Sequence, residues 1–163
     1  NMMPLFVRNK LKFLAFPVDF GFKINNKRIF GNHKTFRGFL AGIIGGTCVS
    51  LLQFLLYDIP FFSSISYIDY TLINSIFIGF LFGFGALLGD AVESTLKRQI
   101  GIKPGKPFIP LDQLDFIFGI IIFSYFIKAM SWQMDLVLIV FGFLLHILVK
   151  VIGYHLKIRK SIW

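Results

Sequence analysis

Residues 70–98 read YTLINSIFIGFLFGFGALLGDAVESTLKR: twenty positions without a charge, then nine that carry Asp90, Glu93, Lys97 and Arg98. As a helix, about 20 apolar residues cross the roughly 30 Å of bilayer hydrocarbon. The change at Asp90 therefore puts carboxylates and bases where such a helix would leave the membrane. Charge at that depth is costly and marks a functional site.

The same pattern recurs along the chain. Gly38 to Tyr57 is also uncharged, and two shorter uncharged runs follow, Phe116 to Ile127 and Leu136 to Val149. The first reaches crossing length if Asp112 and Asp115 lie at the headgroups. The second does so if Lys150 snorkels toward water and the helix continues to about Leu156. Hydrophobic residues make up 56% of the chain and 22 residues are Phe, which excludes an ordinary soluble domain. The predicted fold is an all-α integral membrane protein. It is a polytopic helical bundle forming one membrane domain over 1–163, with spans over about 38–57, 70–90, 112–130 and 134–156.

The bases set the orientation. Arg8, Lys10, Lys12, Lys23, Lys27, Arg28, Lys34 and Arg37 crowd the loop over 8–37, whereas the next connection holds Asp58, Asp69 and no base. Lys97, Arg98, Lys103 and Lys106 fill the loop over 97–111, and the third connection holds only Lys128 and Asp135. Lys150, Lys157, Arg159 and Lys160 close the chain. This alternation follows the positive-inside rule, so the first loop, the central loop and the tail are expected on the cytoplasmic side of a cell membrane. The net charge of +9 then lies on one face. It suits anionic membrane lipids and a phosphorylated substrate rather than nucleic acid, which would not explain the spans.

Small residues recur at helical spacing: Gly38, Gly42 and Gly46, then Gly79 and Gly83, then Gly85 and Gly89. Such faces let helix backbones approach closely in lipid. Packing within one bundle is the expected use, and a homodimer contact is the alternative. The single cysteine, Cys48, excludes a disulfide framework and is expected to be a small packing residue. No signal peptide is evident. The chain opens on Asn1, and one more span is expected before it.

If residues 90–98 continue as helix, Asp90, Glu93, Ser94 and Lys97 share an arc of roughly 100°, with Arg98 at its margin. Carboxylates collect hard divalent cations, and bases collect phosphate oxygens. Asp112 and Asp115 lie one turn apart if the next helix begins near Leu111, so both could address one ion. Plainer roles exist: Asp112 as an N-cap, Asp115 as a first-turn acid, and Glu93 with Lys97 as an i,i+4 pair. Four acids at the cytoplasmic ends of successive spans favour a metal and phosphate site. Before the first span, Gly31 permits a turn, and Lys34, Thr35 and Arg37 offer three phosphate-binding groups within four residues. The spacing of a Walker loop is missing. His33 reads as a surface residue, and His146 and His155 receive no role.

Three ordered motifs carry a resemblance. Arg-Ile-Phe-Gly-x-x-Lys-Thr-x-Arg-Gly over 28–38, Gly-Asp-x-x-x-Ser-x-x-Lys-Arg over 89–98 and Pro-x-Asp-Gln-x-Asp over 110–115 are separated by apolar spans. Together they resemble the CDP-archaeol synthases, relatives of the phosphatidate cytidylyltransferases, from about Pro17 to the last span. Residues 17–21, Pro-Val-Asp-Phe-Gly, resemble part of that family's first cytoplasmic loop, and the family usually has five spans. The resemblance implies transfer of a cytidylyl group from CTP to an isoprenoid ether lipid phosphate, 2,3-di-O-geranylgeranylglyceryl phosphate. The products would be a CDP-lipid and pyrophosphate. It also implies Mg²⁺ held by Asp90, Asp112 and Asp115 with help from Glu93. Catalytic roles would fall to Asp90, Lys97, Arg98, Asp112 and Asp115, and phosphate contacts to Ser94, Lys97, Arg98, Lys34, Thr35 and Arg37.

Two rivals make different predictions. A CTP-dependent polyprenol or lipid kinase would share acidic and basic elements but transfer the γ-phosphoryl group. A small transporter would place its acids near the membrane midplane on broken helices.

Overall fold

A computed structural model describes residues 12–24, 27–31, 34–102, 106 and 108–156. Among the bases used for orientation, Arg8, Lys10, Lys103, Lys157, Arg159 and Lys160 lie outside the described residues, as does His33.

The chain is mostly helical. A short 3-10 turn at Lys12–Leu14 leads into a small antiparallel hairpin, β1 (Lys23–Ile24) and β2 (Lys27–Arg28). Five helices follow: α1 (Phe36–Leu56), α2 (Pro60–Ile65), α3 (Ser75–Gln99), α4 (Leu111–Ser124) and α5 (Trp132–His155). Side-chain oxygens start the long ones. Thr35 accepts from the Gly38 amide at 3.2 Å, Asn74 from the Ile76 amide at 2.8 Å and Ser131 from the Met134 amide at 3.4 Å. Lys97 and Arg98 occupy the last turn of α3, where cations complement the helix dipole.

Three helices, α1, α3 and α5, are long and apolar enough to cross a membrane. The expected span over 112–130 is cut short, because α4 has 14 residues, or about 21 Å at 1.5 Å each. It ends where the Ser124 hydroxyl donates to the Ile121 carbonyl at 2.7 Å. The chain then turns so that the Lys128 ammonium sits 4.4 Å from the centre of the Tyr67 ring. The expected boundaries shift elsewhere too. The second helix begins at Ser75 rather than near 70 and continues to Gln99, nine residues beyond Asp90. Lys150, expected to snorkel outward, is buried, and Cys48, expected to pack, is exposed on α1.

The central helix is α3. Its two glycine pairs are six residues apart, which turns them to different faces at about 100° per residue. Gly79 and Gly83 meet α1: a methyl on Gly46 would lie 2.7 Å from the Gly79 carbonyl oxygen. Gly85 and Gly89 meet α4, where a methyl on Gly85 would lie 2.8 Å from the Gly119 carbonyl oxygen. The small-residue faces are thus used within this chain. Against α4, helix α5 contributes Gly142 under Ile117, and His146 stacked on Phe116 with ring centres 5.2 Å apart. Most of the large apolar side chains of α5, including Leu136, Phe141, Leu144, Leu145 and Leu148, are left uncovered by protein, as a lipid-facing helix requires.

Candidate metal and phosphate site

The close crossing of α3 and α4 decides what the charged residues can do. Asp115 lies one turn before Gly119 on the face of α4 that meets Gly85 and Gly89. One carboxylate oxygen from each of Asp90, Glu93 and Asp115 falls within 4.8 Å of the others. Glu93 and Asp115 are buried, and Asp90 is partly so. Three ionised carboxylates at that separation repel one another, and a cation between or beside them, or uptake of a proton, relieves the repulsion.

Two lysines supply cations from opposite sides. The Lys34 ammonium reaches Asp90 Oδ2 at 2.5 Å from the segment before α1. This contact brings Asp90 level with the start of α1, while α3 continues about 13.5 Å further, at 1.5 Å per residue. The buried Lys97 ammonium lies 3.4 Å from Glu93 Oε1 and donates to Asp112 Oδ1 at 2.7 Å. Asp112 therefore belongs to Lys97, and its second oxygen accepts from the Phe108 amide at 2.9 Å. Asp112 and Asp115 both come close to Glu93. Asp115 joins Asp90 and Glu93, whereas Asp112 anchors the lysine beside them.

The remaining predicted residues sit around this core. Ser94 is buried next to Glu93 in the sequence. Arg98 donates from Nη1 to the Ile102 carbonyl at 2.5 Å, while its Nε is buried with no hydrogen-bond partner among the described residues. Gly31, with φ of +83°, passes close to that Nε. The Thr35 side-chain oxygen caps α1, leaving its O–H able to donate elsewhere. Arg37 lies in the first turn of α1, beside that cap.

Three residues without an assigned role also bear on the site. Lys27 donates to the Gln99 carbonyl at 2.7 Å, tying the hairpin to the end of α3. Gln113 is 1% exposed, and neither polar atom of its amide finds a protein partner among the described residues. Asp19 has a fully buried side chain that pairs with Arg28. It also accepts from the amides of Gly21, Phe30 and Gly31, each at 3.1 Å. Burial alone would raise the Asp19 pKa, but Arg28 and these amides hold it at about 2. One signal was available for Asp19: it is the only acid before residue 58.

A family model described as CarS-like CDP-archaeol synthase matches residues 1–163. A CDP-archaeol synthase of Methanocaldococcus jannaschii is 37% identical over 148 residues, which cover 90% of this chain and 83% of the relative. One from Methanococcoides burtonii is 31% identical over 175 residues, covering 99% of this chain and all of the relative. A solved structure described as an intramembrane enzyme for archaeal membrane lipid biosynthesis superposes with a TM-score of 0.66 at 28% identity. That match covers 92% of this chain and 90% of the solved one. This chain belongs to the CDP-archaeol synthase family.

Proposed function

We propose that the crossing of α3 and α4 is the reaction centre of a CDP-archaeol synthase, where CTP and a geranylgeranylglyceryl phosphate meet at the cytoplasmic membrane surface. The observation that carries this is the trio Asp90, Glu93 and Asp115, with carboxylate oxygens within 4.8 Å, flanked by Lys34 and Lys97. In the reaction, an oxygen of the lipid phosphate bonds to the α-phosphorus of CTP. The bond from that phosphorus to the β-phosphate bridge breaks, and pyrophosphate leaves. Bringing these reactants together joins roughly six negative charges, at a phosphate charge near −2. The protein's task is positioning and charge neutralisation, and the lipid phosphate needs no dedicated base.

The donor set fits Mg²⁺, which takes a few carboxylates and completes its shell with water and substrate phosphate. Glu93 Oε1 supports the fit: among the described residues it is buried without a hydrogen bond, and the Lys97 ammonium 3.4 Å away is shared with Asp112. Asp90, Glu93 and Asp115 would hold the ion, which supplies neutralisation of phosphate charge when bound. Asp112 fixes Lys97 toward the trio. Lys97, Arg98 and Ser94 face the phosphates from α3, and Lys34, Thr35 and Arg37 from the segment that enters α1. We place α4 as a fourth, shorter pass, its cytoplasmic end at the headgroups and its outer end completed by residues 125–130. The lipid tails then remain in the bilayer beside α4 and α5.

CTP labelled separately at the α- and γ-phosphates tests the chemistry in liposomes containing the ether lipid phosphate and Mg²⁺. Label passing from the α position into lipid, and lost in Asp115→Asn, is the expected result. Label passing from the γ position would mean a lipid kinase.

A further inference from the structure

We infer that Asp19 is a positioning residue for the reaction, holding the first cytoplasmic segment over the end of α3 so that Lys34 and its neighbours reach the phosphates. This rests on the assignment of Lys34 to substrate phosphate. Asp19 is 4% exposed, and among the described residues its hydrogen-bond partners lie in its own segment. Its carboxylate gathers the segment instead. One oxygen accepts from the amides of Phe30 and Gly31, the other from the Gly21 amide, and both face the Arg28 guanidinium. These bonds close a loop whose two ends are already joined, since the Val18 amide donates to the Lys34 carbonyl at 2.9 Å and Pro17 pairs with Thr35.

The closed loop is attached to α3 where Lys34 meets Asp90 and Lys27 caps the Gln99 carbonyl, and a methyl on Gly31 would lie 3.8 Å from Arg98 Nε. Gly21 and Gly31 adopt positive φ, at +88° and +83°, so their amides turn toward the one carboxylate. Without Asp19, three backbone donors and a guanidinium lose their shared acceptor, and water would take its place only by opening the loop. The membrane helices also meet one another directly, through the glycine contacts of α3 with α1 and α4. Loss of Asp19 should therefore weaken nucleotide binding while leaving the bundle folded.

The test compares Asp19→Ala, Asp19→Asn and Lys34→Met in the full chain, with KM for CTP, kcat and thermal unfolding in detergent measured on each. Asp19→Ala is expected to raise KM for CTP on the order of tenfold, the loss of about one charge-assisted contact. Its unfolding temperature should fall modestly, by the stability the carboxylate supplies, with the bundle still folded at the assay temperature. Asp19→Asn, which keeps one acceptor oxygen, should fall between the two. An unchanged KM in Asp19→Ala, with Lys34→Met raised, overturns the role of Asp19 alone. A fall in kcat and unfolding temperature without a change in KM also overturns it, by making Asp19 merely structural. An unchanged KM in Lys34→Met overturns the assignment of Lys34 to phosphate and the inference with it.

Discussion

Replacing Gly119 with alanine should open the reaction centre without altering any charged side chain. A methyl on Gly119 would fall on the Gly85 carbonyl, 2.7 Å from its carbon and nearer to its oxygen, and 3.1 Å from the Gly89 nitrogen. Ordinary contact begins at 3.4 Å, so α3 and α4 must part by at least about 0.7 Å. No side chain can rotate away, because every obstructing atom is backbone. Asp115, one turn earlier on α4, moves with the helix and draws away from Asp90 and Glu93. Mg²⁺ demands near-ideal geometry at about 2.0–2.1 Å, and misplacing reacting groups by about 1 Å costs on the order of 10²-fold. We expect kcat to fall between about 10- and 100-fold, and stability by about 1–3 kcal/mol from overpacking. The comparison is Gly142→Ala, where the methyl meets the flexible end of Ile117 at 2.7 Å and should cost much less. The assay is transfer of α-label into lipid across a Mg²⁺ titration. A Gly119→Ala enzyme with wild-type kcat and wild-type Mg²⁺ dependence would refute the claim that this crossing sets the carboxylate geometry.

Other outcomes follow from single residues. Lys97→Met leaves Glu93 and Asp112 without their shared cation, so thermal unfolding should show a loss of about 3 kcal/mol, and label transfer should nearly vanish. Gln113→Leu removes a buried amide with no protein partner among the described residues, and should raise stability by about 1 kcal/mol or more before substrate is added. A drop in its unfolding temperature would show that the amide is bonded in solution. The Asp19 carboxyl is held at about 2, below the ordinary 3.8, so it stabilises the folded state above pH 4. That contribution, about 2 kcal/mol, is lost as pH falls from about 4 to 2. The stability difference between wild type and Asp19→Asn should shrink over that window, and a difference independent of pH would contradict the assignment.

The helices and the acidic face of α3 were legible because both rest on periodicity. Uncharged runs of bilayer length mark α1 and most of α3, and the 100° step places Asp90, Glu93 and Lys97 together. The end of α4 was not legible. Apolar residues continue past Ser124, and the turn there depends on a hydroxyl reaching back and on Lys128 finding Tyr67, a contact between distant residues. The division between Asp112 and Asp115 was hidden for a similar reason. Spacing gives the angle between two side chains on one helix, but only the neighbouring helix decides that one meets Lys97 and Glu93 and the other joins Asp90 and Glu93. Lys150 shows the limit of hydropathy, since a base at a helix end can reach outward or be covered by a neighbour. Asp19 was visible as an isolated acid among bases and within the resemblance over residues 17–21, but its bonds to three amides depend on turns at Gly21 and Gly31.

The most direct test of the central claim is Mn²⁺ binding, read by electron paramagnetic resonance in the full chain with a non-hydrolysable CTP analogue. Wild type and Lys34→Met should hold the ion, while Asp90→Asn and Asp115→Asn should lose it at the same concentration. Unchanged Mn²⁺ binding in both aspartate variants, with folded protein, would contradict the assignment of the metal to Asp90, Glu93 and Asp115.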